Sequence, residues 1–303
     1  MNIKFYIPKN DPGGRASRRF RALVPLKGMR KQDGIIGELN NATIDDIIVM
    51  AKKTKKSEVD FLVKKKIKFV FDVCDDKWPR EKELYDYASK YANKIITTTP
   101  ELAKQIKSYT NKEAIIIDDP TERDREEPKF NPNKIIKIAH YGAGKAFPEQ
   151  HWESIVDNLG KNVEFHFTIG RYAKFRKPFE DFKNMAFYEW SYEKQGDIVR
   201  NSDIVLIPIR AYSQNVLFKS PNRIIDALQQ GRIVITNPGV ASYEKLKDFV
   251  IWNTDRNFKS SLEWALNNKD QVIEKIKKGQ EYIKLNHSPE AIGKKWVELE
   301  NKI

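Results

Sequence analysis

Lys219-Ser220-Pro221-Asn222-Arg223 runs directly into Ile224-Ile225-Asp226-Ala227-Leu228-Gln229-Gln230-Gly231, and this stretch has residue types and spacing suited to chemistry. It reads as one helix marked at both ends. Ser220 suits the N-cap, where a hydroxyl accepts from an otherwise orphan N–H. Pro221 suits the first helical position, which needs no N–H, and Gly231 suits the left-handed residue that closes a helix. The amino end of such a helix attracts an anion such as a phosphate. Lys219 and Arg223 add two positive charges there. Asp226 shares a helical face with Asn222 and Arg223. A carboxylate so placed could accept hydrogen bonds from a ribose while the helix tip holds a diphosphate. The plainer alternative is a capped helix in an α/β sheet with Asp226 solvated.

Other candidates lie at the ends of apolar runs. Asp72-Val73-Cys74-Asp75-Asp76-Lys77-Trp78-Pro79 follows the run Lys68–Phe71. Acids at the carboxyl end of a parallel strand lie where open α/β sheets bind ligands. Asp75 and Asp76 could orient or deprotonate an acceptor hydroxyl, cap a helix over Glu81–Tyr91, or hold Mg²⁺ or Mn²⁺. Ile135 to Tyr141 leads into Gly142-Ala143-Gly144-Lys145, which lacks the residues of a P-loop. Gly13 and Gly14 sit between a first strand and a basic helix, Arg15–Leu26, where they could close over a phosphate or a sugar. Ala16, Phe20, Leu23 and Val24 are read as the apolar side of that helix. Arg15, Arg18, Arg19 and Arg21 could contact an anionic acceptor or form a solvated face. Arg171 and Arg210 each follow a strand and add charge. His140 is read as structural. Trp190 either stacks on a base or packs in the core.

The elements that must position these residues alternate. Short β-branched runs at Ile3–Ile7, Asp46–Met50, Lys68–Val73, Lys94–Thr99 and Ala114–Ile117 are separated by helical stretches. A second series holds Val163–Gly170, Met185–Trp190, Asp203–Arg210 and Ile233–Thr236. Alternation of this kind indicates two doubly wound parallel sheets. Asp118–Pro132 is charged, rich in proline and without apolar period, and reads as the connection between domains. Three helices, Phe258–Asn267, Asp270–Lys284 and Ser288–Ile303, close the chain.

Lys219-Ser220-Pro221-Asn222-Arg223 with Asp226-Ala227-Leu228 and Gly231 resembles the donor-binding helix of the GT-B glycosyltransferases, in particular the family 4 type. The likeness extends over nearly the whole chain, with its specific residues in 203–240. It departs in one respect. Many members carry a Glu seven residues before a second acid on this helix; here the second position is Asp226, and Val216-Leu217-Phe218 holds no acid. The resemblance implies an α/β fold of two Rossmann-like doubly wound domains facing a cleft. It implies an acceptor-binding domain at 1–125, a donor-binding domain at 126–286, and a last helix, 287–303, crossing back to the first domain. It also implies sugar transfer from a UDP- or GDP-sugar co-substrate with no catalytic metal. The site would combine Asp75, Asp76, Lys145 and Arg223 for catalysis. Gly13, Gly14, Gly142, Gly144, Lys145, Arg171, Arg210, Lys219, Ser220, Pro221, Asn222, Arg223 and Asp226 would bind the donor.

Composition narrows the acceptor. The net charge is +13, and residues 1–70 hold 17 Lys and Arg against 7 Asp and Glu. A basic field suits a charged glycan, an anionic membrane surface or nucleic acid. The first expectation is a cell-surface polysaccharide or lipid-linked glycan. The alternatives are hydroxymethylated DNA bases, as in viral DNA glycosyltransferases, and a non-catalytic module binding nucleotide or nucleic acid. One cysteine, Cys74, excludes an internal disulfide. The polar start and the lack of an apolar run of about 18 residues predict a cytoplasmic protein, peripheral on the inner membrane surface at most.

Overall fold

Runs of β-branched and apolar residues fold into two six-stranded sheets in which every pairing is parallel. The computed structural model describes residues 2–8, 16–30, 34–51, 54–142, 163–169, 184–209, 217–254 and 258–303. Two units emerge: Met1–Glu122 with Phe218–Ser220 and Lys284–Ile303, and Arg123–Leu217 with Pro221–Ile283. Each is a Rossmann-like, doubly wound unit.

The first unit holds β1 (Asn2–Tyr6), β2 (Ile35–Ile36), β3 (Asp46–Ala51), β4 (Lys68–Val73), β5 (Lys94–Thr97) and β6 (Ala114–Ile116), in the order β2-β1-β3-β4-β5-β6. Successive side chains alternate between faces. Ile47 and Val49 therefore join Ile3, Phe5, Ile292 and Trp296 on one side, while Ile48 and Met50 join Val59, Leu62, Phe69 and Phe71 on the other. Burial on both faces explains why these strands read as unbroken apolar runs. The two-residue edge strand β2 is too short to show any period.

The basic helix after β1 differs from its sequence reading. Ala16–Arg18 passes into a π-helical turn, Arg19–Leu23, and then into Val24–Met29. Val24 N–H reaches back to Arg19 O. Pro25 has no N–H to offer Arg21 O, and the wider turn accommodates its ring. The extra residue rotates the stripe. Phe20 stays buried, but Leu23 is 38% exposed, Ala16 is exposed, and Ala22, Pro25 and Leu26 are buried instead. The rotation also turns Arg21 into the core, so it belongs neither to a solvated face nor to a ligand surface. Its guanidinium makes a two-pronged pair with Asp72, both bonds 2.9 Å, and bonds Ile117 O at 2.7 Å and Asp119 at 3.1 Å. Burial works against this charge, but Asp72 and Asp119 outweigh it and hold the group well above its ordinary pKa. Arg19 pairs with Glu122 at 2.6 Å. Gly28 and Gly293 allow helices Val24–Met29 and Pro289–Glu300 to meet backbone to backbone. A Cβ on Gly293 would lie 2.6 Å from Gly28 C, and one on Gly28 would lie 1.8 Å from Pro289 O.

The second unit holds β7 (Ile136–Gly142), β8 (Val163–Ile169), β9 (Met185–Glu189), β10 (Ile204–Ile207), β11 (Ile233–Thr236) and β12 (Ile251–Trp252), in the order β12-β11-β10-β7-β8-β9. The chain winds outward from β7 through β8 and β9, then returns to start β10 on the other side of β7. Its topological switch point is therefore between β7 and β10, where open α/β sheets form a crevice at their carboxyl ends. Segment 123–133 is fastened rather than loose. Glu126 N donates to Gln229 O (2.9 Å) and Lys129 N to Gly231 O (3.0 Å). Gly231, at φ +71°, has no room for a side chain because Glu127 O would lie 2.3 Å from its Cβ. Gly231 therefore closes the helix in the left-handed region as expected, and it also admits the passing strand of chain.

Candidate functional site

The carboxyl end of β7 meets the amino end of helix Asn222–Gln229. The β7–β10 register pairs Ile204 with Ile138 and Val205 with Ala139, and no later pair is formed. Beyond it a side chain spans the gap: His140 Nδ1 lies 2.9 Å from Leu206 O. A carbonyl only accepts, so Nδ1 carries the proton. Burial, with the nearby Arg223 charge, lowers the His140 pKa to about 3, so the imidazole is neutral. Its structural reading from sequence agrees with this bond.

Tyr141, the next residue, reaches the helix. Its hydroxyl donates to Arg223 O at 2.6 Å, and Arg223 Nη1 donates back to Tyr141 O at 3.2 Å. Gly142 ends the strand at φ +143°, and a Cβ there would meet Arg223 Nη1 at 3.1 Å. The guanidinium thus lies across the bare backbone of Gly142. Burial pushes the Tyr141 phenol well above its usual pKa, with the Asp226 carboxylate adding to the effect. Sequence reasoning missed Tyr141. Its only local signal is a hydroxyl-bearing aromatic next to the glycine that ends the strand.

The helix start departs from expectation. Pro221 is the N-cap, with Ile224 N and Ile225 N donating to Pro221 O. Ser220 caps nothing: its Oγ is buried with no hydrogen-bond partner among the described residues. Pro221 can take the cap position because a backbone carbonyl suffices there, which moves Ser220 one place too far back to reach the N–H groups. Asp226 is 2% exposed, which overturns the solvated reading. Asn222 and Arg223 are half-buried.

Lys219 turns elsewhere. Phe218–Ser220 cluster with the first unit, and Lys219 Nζ lies 3.4 Å from Asp75 Oδ1. Two residues assigned separately from sequence therefore meet. Asp76 Oδ1 accepts from Trp78 N at 3.1 Å and Oδ2 from the Tyr109 hydroxyl at 3.1 Å. Neither acid caps the following helix as the capping alternative expected: the helix is Trp78–Tyr91, its N-cap is Lys77 without a side-chain cap bond, and Glu81 is out of helical conformation. Among the described residues no group of three or more His, Cys, Asp or Glu is placed to hold a metal ion. Trp190 Nε1 donates to Gln195 Oε1 at 2.7 Å, and Ser191 caps the following helix by accepting from Lys194 N. Gly13, Gly14, Gly144, Lys145, Arg171 and Arg210 lie outside the described residues.

Chemically, among the described residues the switch point offers the Arg223 guanidinium, the amino end of a helix, a strand end stripped of side chain, and a buried carboxylate one turn along. Donors gathered in this way suit an anion with polar attachments.

No family model matches the chain, and no curated protein matches its sequence. Solved structures do share the fold. Anabaena Alr3699/HepE in complex with UDP superposes with a TM-score of 0.71 at 10% identity, covering 100% of each chain. TarM gives 0.66 at 15% identity over 86% of this chain and 55% of its own. WaaG, a glycosyltransferase involved in lipopolysaccharide biosynthesis, gives 0.61 at 13% identity over 96% and 98%. This chain thus spans about half the length of TarM. The fold is GT-B, with two Rossmann-like units.

Proposed function

We propose that the protein is a glycosyltransferase that moves a sugar from a nucleotide-sugar donor to an acceptor hydroxyl. The observation that carries this reading is the reciprocal Tyr141–Arg223 bonding, which fixes a guanidinium over Gly142 at the switch point of the second sheet. Transfer breaks the bond between the sugar's anomeric carbon and the diphosphate oxygen. Negative charge then grows on the leaving diphosphate. In this reading Arg223 and the N–H groups at the start of helix Asn222–Gln229 stabilise that charge, with little reorganisation when it develops. Lys145, Arg171 and Arg210, with Gly144, complete the proposed phosphate contacts. Asp226, already out of water, receives the ribose hydroxyls.

The acceptor oxygen forms the new bond to the anomeric carbon, and its proton goes to a base. Asp75 is the proposed base and Lys219 its partner. The acceptor is a glycan or lipid-linked saccharide, and the excess charge in residues 1–70 holds the enzyme at an anionic membrane surface on the cytoplasmic side. HepE was solved with UDP-glucose and with UDP, which supports UDP as the first nucleotide to try.

Calorimetric titration with UDP, GDP and their sugars tests the reading. One nucleoside diphosphate should bind, and Arg223→Ala should weaken it by roughly 10- to 100-fold, as for a charged hydrogen bond to phosphate. Equal binding by wild type and Arg223→Ala, or no binding of any nucleotide, overturns the assignment.

A further inference from the structure

An aromatic pair in the first unit takes no part in the donor chemistry. Trp78 is buried, and its indole is fixed from several sides. Nε1 donates to Asp86 Oδ1 at 2.9 Å, Tyr85 meets it edge-on with ring centroids 4.9 Å apart, and Tyr109 lies flat on it at 5.1 Å with 20° between planes. Tyr109 is 36% exposed, so the ring stacked on Trp78 shows its outer face to solvent. Its hydroxyl is tied to Asp76, whose other oxygen holds Trp78 N. The plate is therefore rigid before anything binds, and a ligand need not order it.

The surroundings select the ligand. Asp75 and Asp76 directly follow β4, and Tyr109 lies in the last turn of helix Pro100–Thr110, so the plate ties the segment after β4 to the end of that helix. Val73 at the end of β4 is in register with Thr97 of β5, and the Thr97 and Thr98 hydroxyls are buried without a partner among the described residues. Asp75 faces Lys219 and Asp86 faces Lys82, but Asp76 has no cationic partner among the described residues. An exposed aromatic face beside an uncompensated carboxylate attracts a ring with an apolar face and hydroxyl donors at its rim. The same carboxylate repels phosphate, sulfate and uronate. We infer that Tyr109, backed by Trp78 and rimmed by Asp76, is a saccharide subsite for an uncharged pyranose of the acceptor. Its place in catalysis rests on the glycosyl-transfer reading, but its binding does not.

The test uses the full chain and saturation-transfer NMR with a panel of neutral disaccharides built from glucose, galactose and N-acetylglucosamine, and with a heparin disaccharide as the anionic counterpart. Neutral disaccharides should receive saturation from aromatic protons and the heparin disaccharide should not. Tyr109→Ala should weaken the binding by about tenfold, as for loss of one stacked ring, and Tyr109→Phe should retain it. UDP titrations should be alike in all three proteins, which also verifies that each is folded. Equal saccharide binding by wild type and Tyr109→Ala, preference for heparin, or no saccharide binding to wild type overturns the subsite. Neutral saccharides bound through Tyr109 by a protein that ignores every nucleotide keep the subsite and overturn the donor assignment instead.

Discussion

Tyr141 and Arg223 are 82 residues apart in the chain and exchange hydrogen bonds, the phenol to the arginine carbonyl at 2.6 Å and the guanidinium to the tyrosine carbonyl at 3.2 Å. Each bond uses one side chain and one main chain, so the strand end and the helix start are located by each other. Tyr141→Phe removes one of the two bonds and leaves a carbonyl short of its donor. Urea unfolding should show a loss of about 1–2 kcal/mol. The affinity for the nucleoside diphosphate should fall less than in Arg223→Ala, since the guanidinium itself survives.

His140 makes stability depend on pH. Its pKa is about 3 in the folded protein against 6.5 ordinarily, because burial and Arg223 oppose the charge. Between these values the unfolded chain binds the proton and the folded one does not. Stability therefore falls as pH drops from about 6.5 towards 3, by up to about 1.4 kcal/mol per pH unit. His166 and His287 are also lowered, chiefly by burial, and slope the same way. Unfolding free energies from pH 7 to 4.5 should consequently decline less steeply in His140→Asn than in wild type. Parallel slopes would contradict this.

Arg21 is a buried charge with two acidic partners. Removing the head group in Arg21→Ala strands the buried Asp72 carboxylate without its two-pronged cation, and should cost about 3–5 kcal/mol. Replacing the pair together, Arg21→Met with Asp72→Leu, should recover part of that loss because neither charge of the buried pair is then left without the other. Denaturant midpoints of wild type, single and double variants measure it.

Gly293→Ala tests the glycine crossing. The added methyl would sit 2.6 Å from the Gly28 carbonyl carbon, in backbone that a rotamer change cannot move aside. The two helices must separate, at about 1–3 kcal/mol. The thermal midpoint should drop by several degrees, while the nucleoside-diphosphate affinity proposed for the second unit should not change.

Much of the architecture is written in local pattern. The apolar β-branched runs at Asp46–Ala51, Lys68–Val73 and Ile204–Ile207 need no distant information, since strands buried on both faces are apolar throughout. The helix Asn222–Gln229 and its closing Gly231 are legible for the same reason: periodicity and a left-handed backbone are properties of a few adjacent residues.

What local pattern leaves open is the destination of polar side chains. Arg21 reads like Arg18 and Arg19, but a π-helical turn ahead of Pro25 carries it inward to Asp72, 51 residues away. Ser220 has the right chemistry for a cap and loses the position to the Pro221 carbonyl by one residue. Lys219, assigned to phosphate by its place before the helix, finds Asp75 at a separation of 144 residues. Tyr141 has no local signal beyond the glycine beside it, and its role exists only because the switch point brings β7 against the helix. Sequence by itself determined where the backbone can be regular, since that depends on neighbours in the chain. Tertiary structure decided which charges meet, because an ion or hydrogen-bond partner is chosen by distance in space, and a rotation of one residue along a helix is enough to change it.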